Sequence, residues 1–109
     1  MSFPVIAKLR SNEAKERAGA CRIVSQLCLE PSVMIQLNKQ NIIPLIMEQL
    51  SDNVTQASAL SALRNLVLDG KTLAKFVHEF GGLAPVLNTM LKLTSELRSF
   101  QDLHPSVST

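Results

Sequence analysis

Pro44-Leu45-Ile46-Met47-Glu48-Gln49-Leu50 is the stretch on which the reading of the fold turns, because related stretches flank it on both sides. Pro4-Val5-Ile6-Ala7-Lys8-Leu9 precedes it and Pro85-Val86-Leu87-Asn88-Thr89-Met90-Leu91 follows it, in steps of about forty residues. Between the prolines lie two further related segments, Ala18-Gly19-Ala20-Cys21-Arg22-Ile23-Val24-Ser25-Gln26-Leu27 and Ala57-Ser58-Ala59-Leu60-Ser61-Ala62-Leu63-Arg64-Asn65-Leu66. Two independent markers agree on one period, the sequence signature of stacked structural units.

Each proline suits the first turn of a helix, where backbone N–H groups have no partner inside the helix. The spacing therefore predicts helices starting near Pro4, Pro44 and Pro85. In the intervening segments Ala18, Ala57, Ala59 and Ala62 combine with Ile23, Leu27, Leu63 and Leu66 at three-and-four spacing, which predicts longer, closely packed helices. Pro31-Ser32 and Asp69-Gly70 punctuate the chain after them. The next apolar faces, Val33, Met34 and Leu37 or Leu73, Phe76 and Val77, predict a short helix each. The unit is three helices in about forty residues.

Composition agrees with helices. The chain has 109 residues, 46% of them hydrophobic and 18% charged, with no Trp, no Tyr and four Phe. That is one domain at most, with a core of Leu, Ile, Val, Ala and Met. Aromatic platforms for nucleic-acid bases are largely excluded. A formal charge of +2 with acids interleaved among the bases forms no basic stripe, so no nucleic-acid partner is expected. No apolar run approaches the ~18–20 residues of a membrane span. The Met-Ser-Phe-Pro start lacks the pattern of a secretory signal, which makes the cytoplasm or nucleus the expected compartment. Cys21 and Cys28 lie two helical turns apart, about 10–11 Å of rise, too far to bridge each other, and read as small core residues.

The chain resembles armadillo repeats and the related HEAT repeats. The corner Lys75-Phe76-Val77-His78-Glu79-Phe80-Gly81-Gly82-Leu83-Ala84-Pro85-Val86-Leu87 and the helix end Ala62-Leu63-Arg64-Asn65-Leu66 carry the likeness. Asn41-Ile42-Ile43-Pro44 stands in place of the glycine corner in the first copy. The resemblance implies an all-α, armadillo/HEAT-like α-solenoid of about two and a half repeats in a right-handed superhelical stack. It implies repeats over residues 1–93 and a partial helix of a further one over 94–103, and the Ser/Thr/Pro content of 104–109 predicts a disordered tail. Within the family, Ala62-Leu63-Arg64-Asn65-Leu66 behind short leading repeats looks most like the N-terminal repeats of symportin-type adaptors, which escort ribosomal proteins into the nucleus.

No nucleophile with a base, carboxylate pair or phosphate loop is found, so no enzyme, cofactor, metal or small-molecule substrate is expected. Gly81-Gly82 is a helix corner, His78 a helix histidine, and His104 lies in the tail. The resemblance instead directs attention to the long helices, which line the concave face of armadillo proteins. It implies that Asn65 hydrogen-bonds a ligand backbone, through an amide that both donates and accepts. A helix-end asparagine bonding its own loop is the other reading. Aligning Ala18 with Ala57 pairs Gln26 with Asn65 and Arg22 with Ser61. The last pair stands where the family's peptide-binding members often carry tryptophan. Arg22 and Arg64 are candidates for an acidic partner or are solvated helix charge, and the alignment forms no ladder of them. Lys8, Arg10, Lys15, Arg17 and Arg22 make the N-terminal part locally basic.

Two functions follow as expectations. One is a protein-interaction module that binds a partner segment on its concave face, with a ribosomal protein or import receptor as the implied partner. The other is a structural end-cap or self-assembly segment, because Val86, Leu87, Met90 and Leu91 lack a covering helix and an exposed apolar patch implies a partner.

Overall fold

Proline and glycine punctuation translates directly into helix boundaries. The computed structural model of the chain describes the backbone of residues 4–103 and the side chains of residues 4–96. Among the described residues the chain is all-α, with helices α1 (Pro4–Leu9), α2 (Ala14–Leu27), α3 (Pro31–Lys39), α4 (Ile42–Glu48), α5 (Gln56–Leu66), α6 (Gly70–His78) and α7 (Leu83–Leu103). A single 3-10 turn, Gln49–Ser51, tightens the end of α4. Pro4 and Pro31 are first residues of their helices, whereas Pro44 and Pro85 each sit third, still within the turn whose N–H groups need no helical acceptor. Glu30, just before Pro31, is extended at φ −97° and ψ 112°, as steric conflict with the following ring requires.

The long helices supply the centre of the core. Ala20, Cys21 and Val24 of α2 and Ala59, Ala62 and Leu66 of α5 are all buried and belong to one apolar cluster. Small side chains let the two helix backbones approach closely, and α2 packs more extensively on α5 than any other pair of elements. The helices run in the same sense. Arg17 near the start of α2 reaches Asp52 just ahead of α5, while Ser25 near the end of α2 meets Ser61 and Asn65. α1 lies against α2, and α4 against α5, with Val5, Leu9, Ile42, Ile43 and Ile46 completing the core.

Arg17 holds these layers together at one end. Its Nη1 donates to Ser11 O at 2.6 Å, its Nε to Gln49 Oε1 at 2.9 Å, and its Nη2 to Asp52 Oδ2 at 3.0 Å. The α1–α2 connection is thus tied to the turn between α4 and α5. Of the basic residues near the N-terminus, Arg17 is committed to this internal fork, and Lys8, Arg10, Lys15 and Arg22 remain on the surface.

The two corners ahead of α4 and α7 share one conformational device. Gly81 has φ +59° and Asn41 has φ 55°, both left-handed, and Asn is among the few side-chain-bearing residues that tolerate this region. Asn41 therefore performs in the first corner what glycine performs in the second. Gly82 serves a different purpose. A Cβ there would lie 2.2 Å from Cε2 and Cζ of the buried Phe76 ring, so α6 closes on the corner only because that position is bare.

Residues 94–103 continue α7 without a break, where a separate partial helix was expected. No Gly or Pro follows Pro85 within that span to interrupt it, and Thr94 Oγ1 donates to Met90 O at 2.8 Å, one turn back. Residues 104–109, including His104 and the expected tail, lie outside the described residues. Among the described residues no helix is long and apolar enough to cross a membrane.

Candidate protein interface

The end of α2 exposes a problem that α5 solves. The last carbonyls of a helix have no intrahelical donor. Cys28 N bonds Val24 O, Leu29 N bonds Gln26 O and Glu30 N bonds Leu27 O, which passes over Ser25 O. Asn65 of α5 takes it, with Nδ2 donating to Ser25 O and to Ser25 Oγ, both at 2.9 Å. Asn65 is buried at 7% exposure, and its Nδ2 bonds the neighbouring helix end rather than its own loop.

The residues around this bond are differently placed. Ser61 is exposed, and its Oγ lies 3.0 Å from Ser25 Oγ, bridging the two helices at the surface. Arg22, Gln26 and Arg64 are exposed. Gln26, aligned with Asn65, reaches no long helix of its own, and Arg64, aligned with Ser25, likewise faces out. One rule explains the differing burial of the aligned pairs: Ser25 and Asn65 face each other across the α2–α5 contact, while their counterparts lie on the outer sides. The result is a polar surface over α2 and α5 carrying two guanidinium groups and two neutral side chains.

Beneath it the cysteines are free and buried. Burial pushes the Cys21 thiol up to about 11, against the opposing pull of Arg22 and Arg17, and pushes Cys28 up to about 11. Neither is a nucleophile at neutral pH. Among the described residues no three of His, Cys, Asp and Glu gather closely enough to hold a metal ion. His78 is exposed at the end of α6.

A second surface lies on α7. Pro85, Val86 and Thr89 turn inward, and Thr89 Oγ1 donates to Pro85 O at 2.9 Å and to Leu50 O at 3.4 Å. Lys92 Nζ donates to Asn53 Oδ1. Leu83, Leu87, Met90 and Leu91 point the other way, 54%, 48%, 51% and 68% exposed. Of the four residues expected to lack cover, Leu87, Met90 and Leu91 are open to solvent and Val86 packs on the core.

A third feature was not singled out from the sequence. α3, the Asn41 corner and α6 enclose a groove of about 350 Å³ that Lys39, Lys71 and Lys75 border. Lys71 and Lys75 lie one helical turn apart, which was the available signal; Lys39 of α3 joins them at the rim of the groove. Comparison of the chain with protein-family models, with curated proteins and with solved structures finds no match.

Proposed function

We propose that this chain is a non-enzymatic protein-interaction module of armadillo/HEAT type, a short right-handed solenoid that holds a partner segment on the surface formed by α2 and α5. The observation that carries the reading is the side-by-side packing of these two helices with Arg22, Gln26, Ser61 and Arg64 exposed along them. Elongation supports it: the Cα radius of gyration is 15.0 Å, against about 13 Å for a compact chain of ~100 residues. Arg22 and Arg64 supply forked donors suited to carboxylates or backbone carbonyls, and Gln26 and Ser61 supply groups that both donate and accept. Asn65 serves by fixing the spacing of the two helices beneath the partner. By its resemblance to symportin-type repeats, the module acts as an adaptor in nuclear import or ribosomal-protein escort, with a ribosomal protein or import receptor as its partner.

The test is quantitative capture from cell extract on the immobilised chain and on its Arg22→Glu/Arg64→Glu variant, with folding checked by circular dichroism. Retention of ribosomal proteins or transport receptors by the original chain and its loss in the variant are expected. Equal retention by both overturns the assignment of this face.

The exposed Leu83, Leu87, Met90 and Leu91 favour a second reading, a self-assembly segment in which α7 packs on α7 of a second copy. Spacings of four, seven and eight residues from Leu83 line these side chains along one face, and such a stripe is self-complementary about a two-fold axis. Light scattering should then give a dimer that Leu87→Ser/Leu91→Ser converts to monomer. A monomer at high protein concentration rules this reading out.

A further inference from the structure

We propose that the groove between α3 and α6 binds an acidic segment of another protein, one that places an apolar side chain between carboxylates. This surface is distinct from the one over α2 and α5, and the inference stands without that reading. Two properties of the groove converge on such a ligand.

The first is unbalanced charge. Lys39, Lys71 and Lys75 border the groove and all three are exposed. The single ion pair among the described residues joins Arg17 to Asp52, so none of these lysines is paired with a carboxylate there. Asp69, the one acid on the rim, is committed to the start of α6. Its Oδ1 accepts from Lys71 N at 2.7 Å and Thr72 N at 3.1 Å, and its Oδ2 accepts from Thr72 Oγ1 at 2.5 Å. These bonds, with that of the Thr72 hydroxyl foremost, hold its carboxyl below the usual range and keep it ionised, which still leaves a surplus of two positive charges on the rim.

The second is the lining. Met34, Ile35, Ile43 and Phe80 contribute to it, and Ile35 is 51% exposed although it is a large aliphatic side chain. Lys75 Nζ stands 5.7 Å from the centre of the Phe80 ring, which holds the cation beside apolar surface. An apolar side chain entering here is flanked by ammonium groups, whereas a simple anion leaves the lining uncovered.

Selection of random dodecapeptides on the full chain tests this. The enriched peptides should carry at least two Asp or Glu beside a Leu, Ile or Phe. A fluorescein-labelled copy of the commonest should bind more weakly as NaCl rises. Solvent-exposed ion pairs each alter affinity by a factor of roughly 1.5 to 5, so Lys39→Glu/Lys71→Glu/Lys75→Glu should weaken binding roughly 3- to 100-fold. These side chains are exposed, and circular dichroism should show the variant folded. Arg22→Glu/Arg64→Glu should bind the same peptide as the original chain does, which separates the two surfaces. Failure to enrich acidic peptides overturns the inference. So does binding indifferent to the three lysines, or lysine-dependent binding to phosphatidylserine vesicles in the absence of any acidic-peptide binding.

Discussion

Replacing Asn65 by alanine should unfold the chain more readily before it affects any partner. The substitution removes two hydrogen bonds of 2.9 Å and leaves Ser25 O, a helix-terminal carbonyl, with no donor. A neutral intramolecular hydrogen bond contributes about 1 kcal/mol net, and an orphaned buried acceptor costs about 1–3 kcal/mol, so the expected loss is about 2 kcal/mol. Ser25 is 7% exposed, which limits repair by water. For a domain of this size the corresponding fall in Tm is roughly 8–16 °C. Urea unfolding followed by circular dichroism gives the free energy. Gln26→Ala, exposed at the aligned position, is the control and should alter stability by less than about 0.5 kcal/mol. Asn65→Asp sharpens the argument. A carboxylate cannot donate to Ser25 O, and burial beside that oxygen raises its pKa above the unfolded value of about 3.9. The unfolded chain then ionises first, so this variant should lose stability as pH rises from about 3.5 to 7. A stability of Asn65→Ala within about 0.5 kcal/mol of the original, together with lost partner capture, would refute the capping role and return Asn65 to the ligand.

Gly82→Ala should destabilise by about 1–3 kcal/mol through conflict with Phe76, and Phe76→Leu in the same chain should recover part of the loss in Tm; additive losses would show that the ring is not the obstacle. Cys21 and Cys28 should resist thiol reagents at pH 8 in the native chain and react once it is unfolded; rapid native labelling would contradict their burial. Their native values near 11 lie above the ordinary 9.0, so stability should hold up to about pH 9 and then fall toward pH 11 as the unfolded chain ionises first. Asp69→Ala should lower helix content and Tm, and in the original chain the contribution of Asp69 should be present above pH 3.8 and fade as pH falls through its depressed native pKa; a Tm unchanged by the substitution would remove Asp69 as the α6 cap.

Much of the helix pattern is legible because proline and periodic small residues act locally. Pro4, Pro31, Pro44 and Pro85 all fall in first turns, and the Ala-rich segments became α2 and α5. The start of α4 at Ile42 and of α7 at Leu83, ahead of their prolines, follows from the freedom of the whole first turn to lack donors. Asn41 was harder to read, since its left-handed backbone depends on a tolerance that Asn shares with Gly but that its spelling does not advertise. Arg17 was hardest. Its three acceptors come from Ser11, Gln49 and Asp52, and a fork spanning 6 to 35 residues of sequence has no local signature.

The same distinction governs the candidate sites. Aligning the two copies treats Asn65 and Gln26 as equivalents, yet equivalence of position holds only where both helices have the same neighbours. α5 has α2 beside it and turns Asn65 inward, whereas α2 meets no described long helix on its corresponding side and leaves Gln26 in solvent. Arg64 is exposed for the converse reason, since its counterpart Ser25 is the residue that α2 presents to α5. A helix-end asparagine in stacked helices can therefore serve the stack or a ligand, and what its amide nitrogen bonds shows that it serves the stack here. Here Nδ2 is bonded to Ser25 within the stack, so in the proposed reading the partner meets the residues around Asn65: the guanidinium groups of Arg22 and Arg64, which form no ion pair among the described residues.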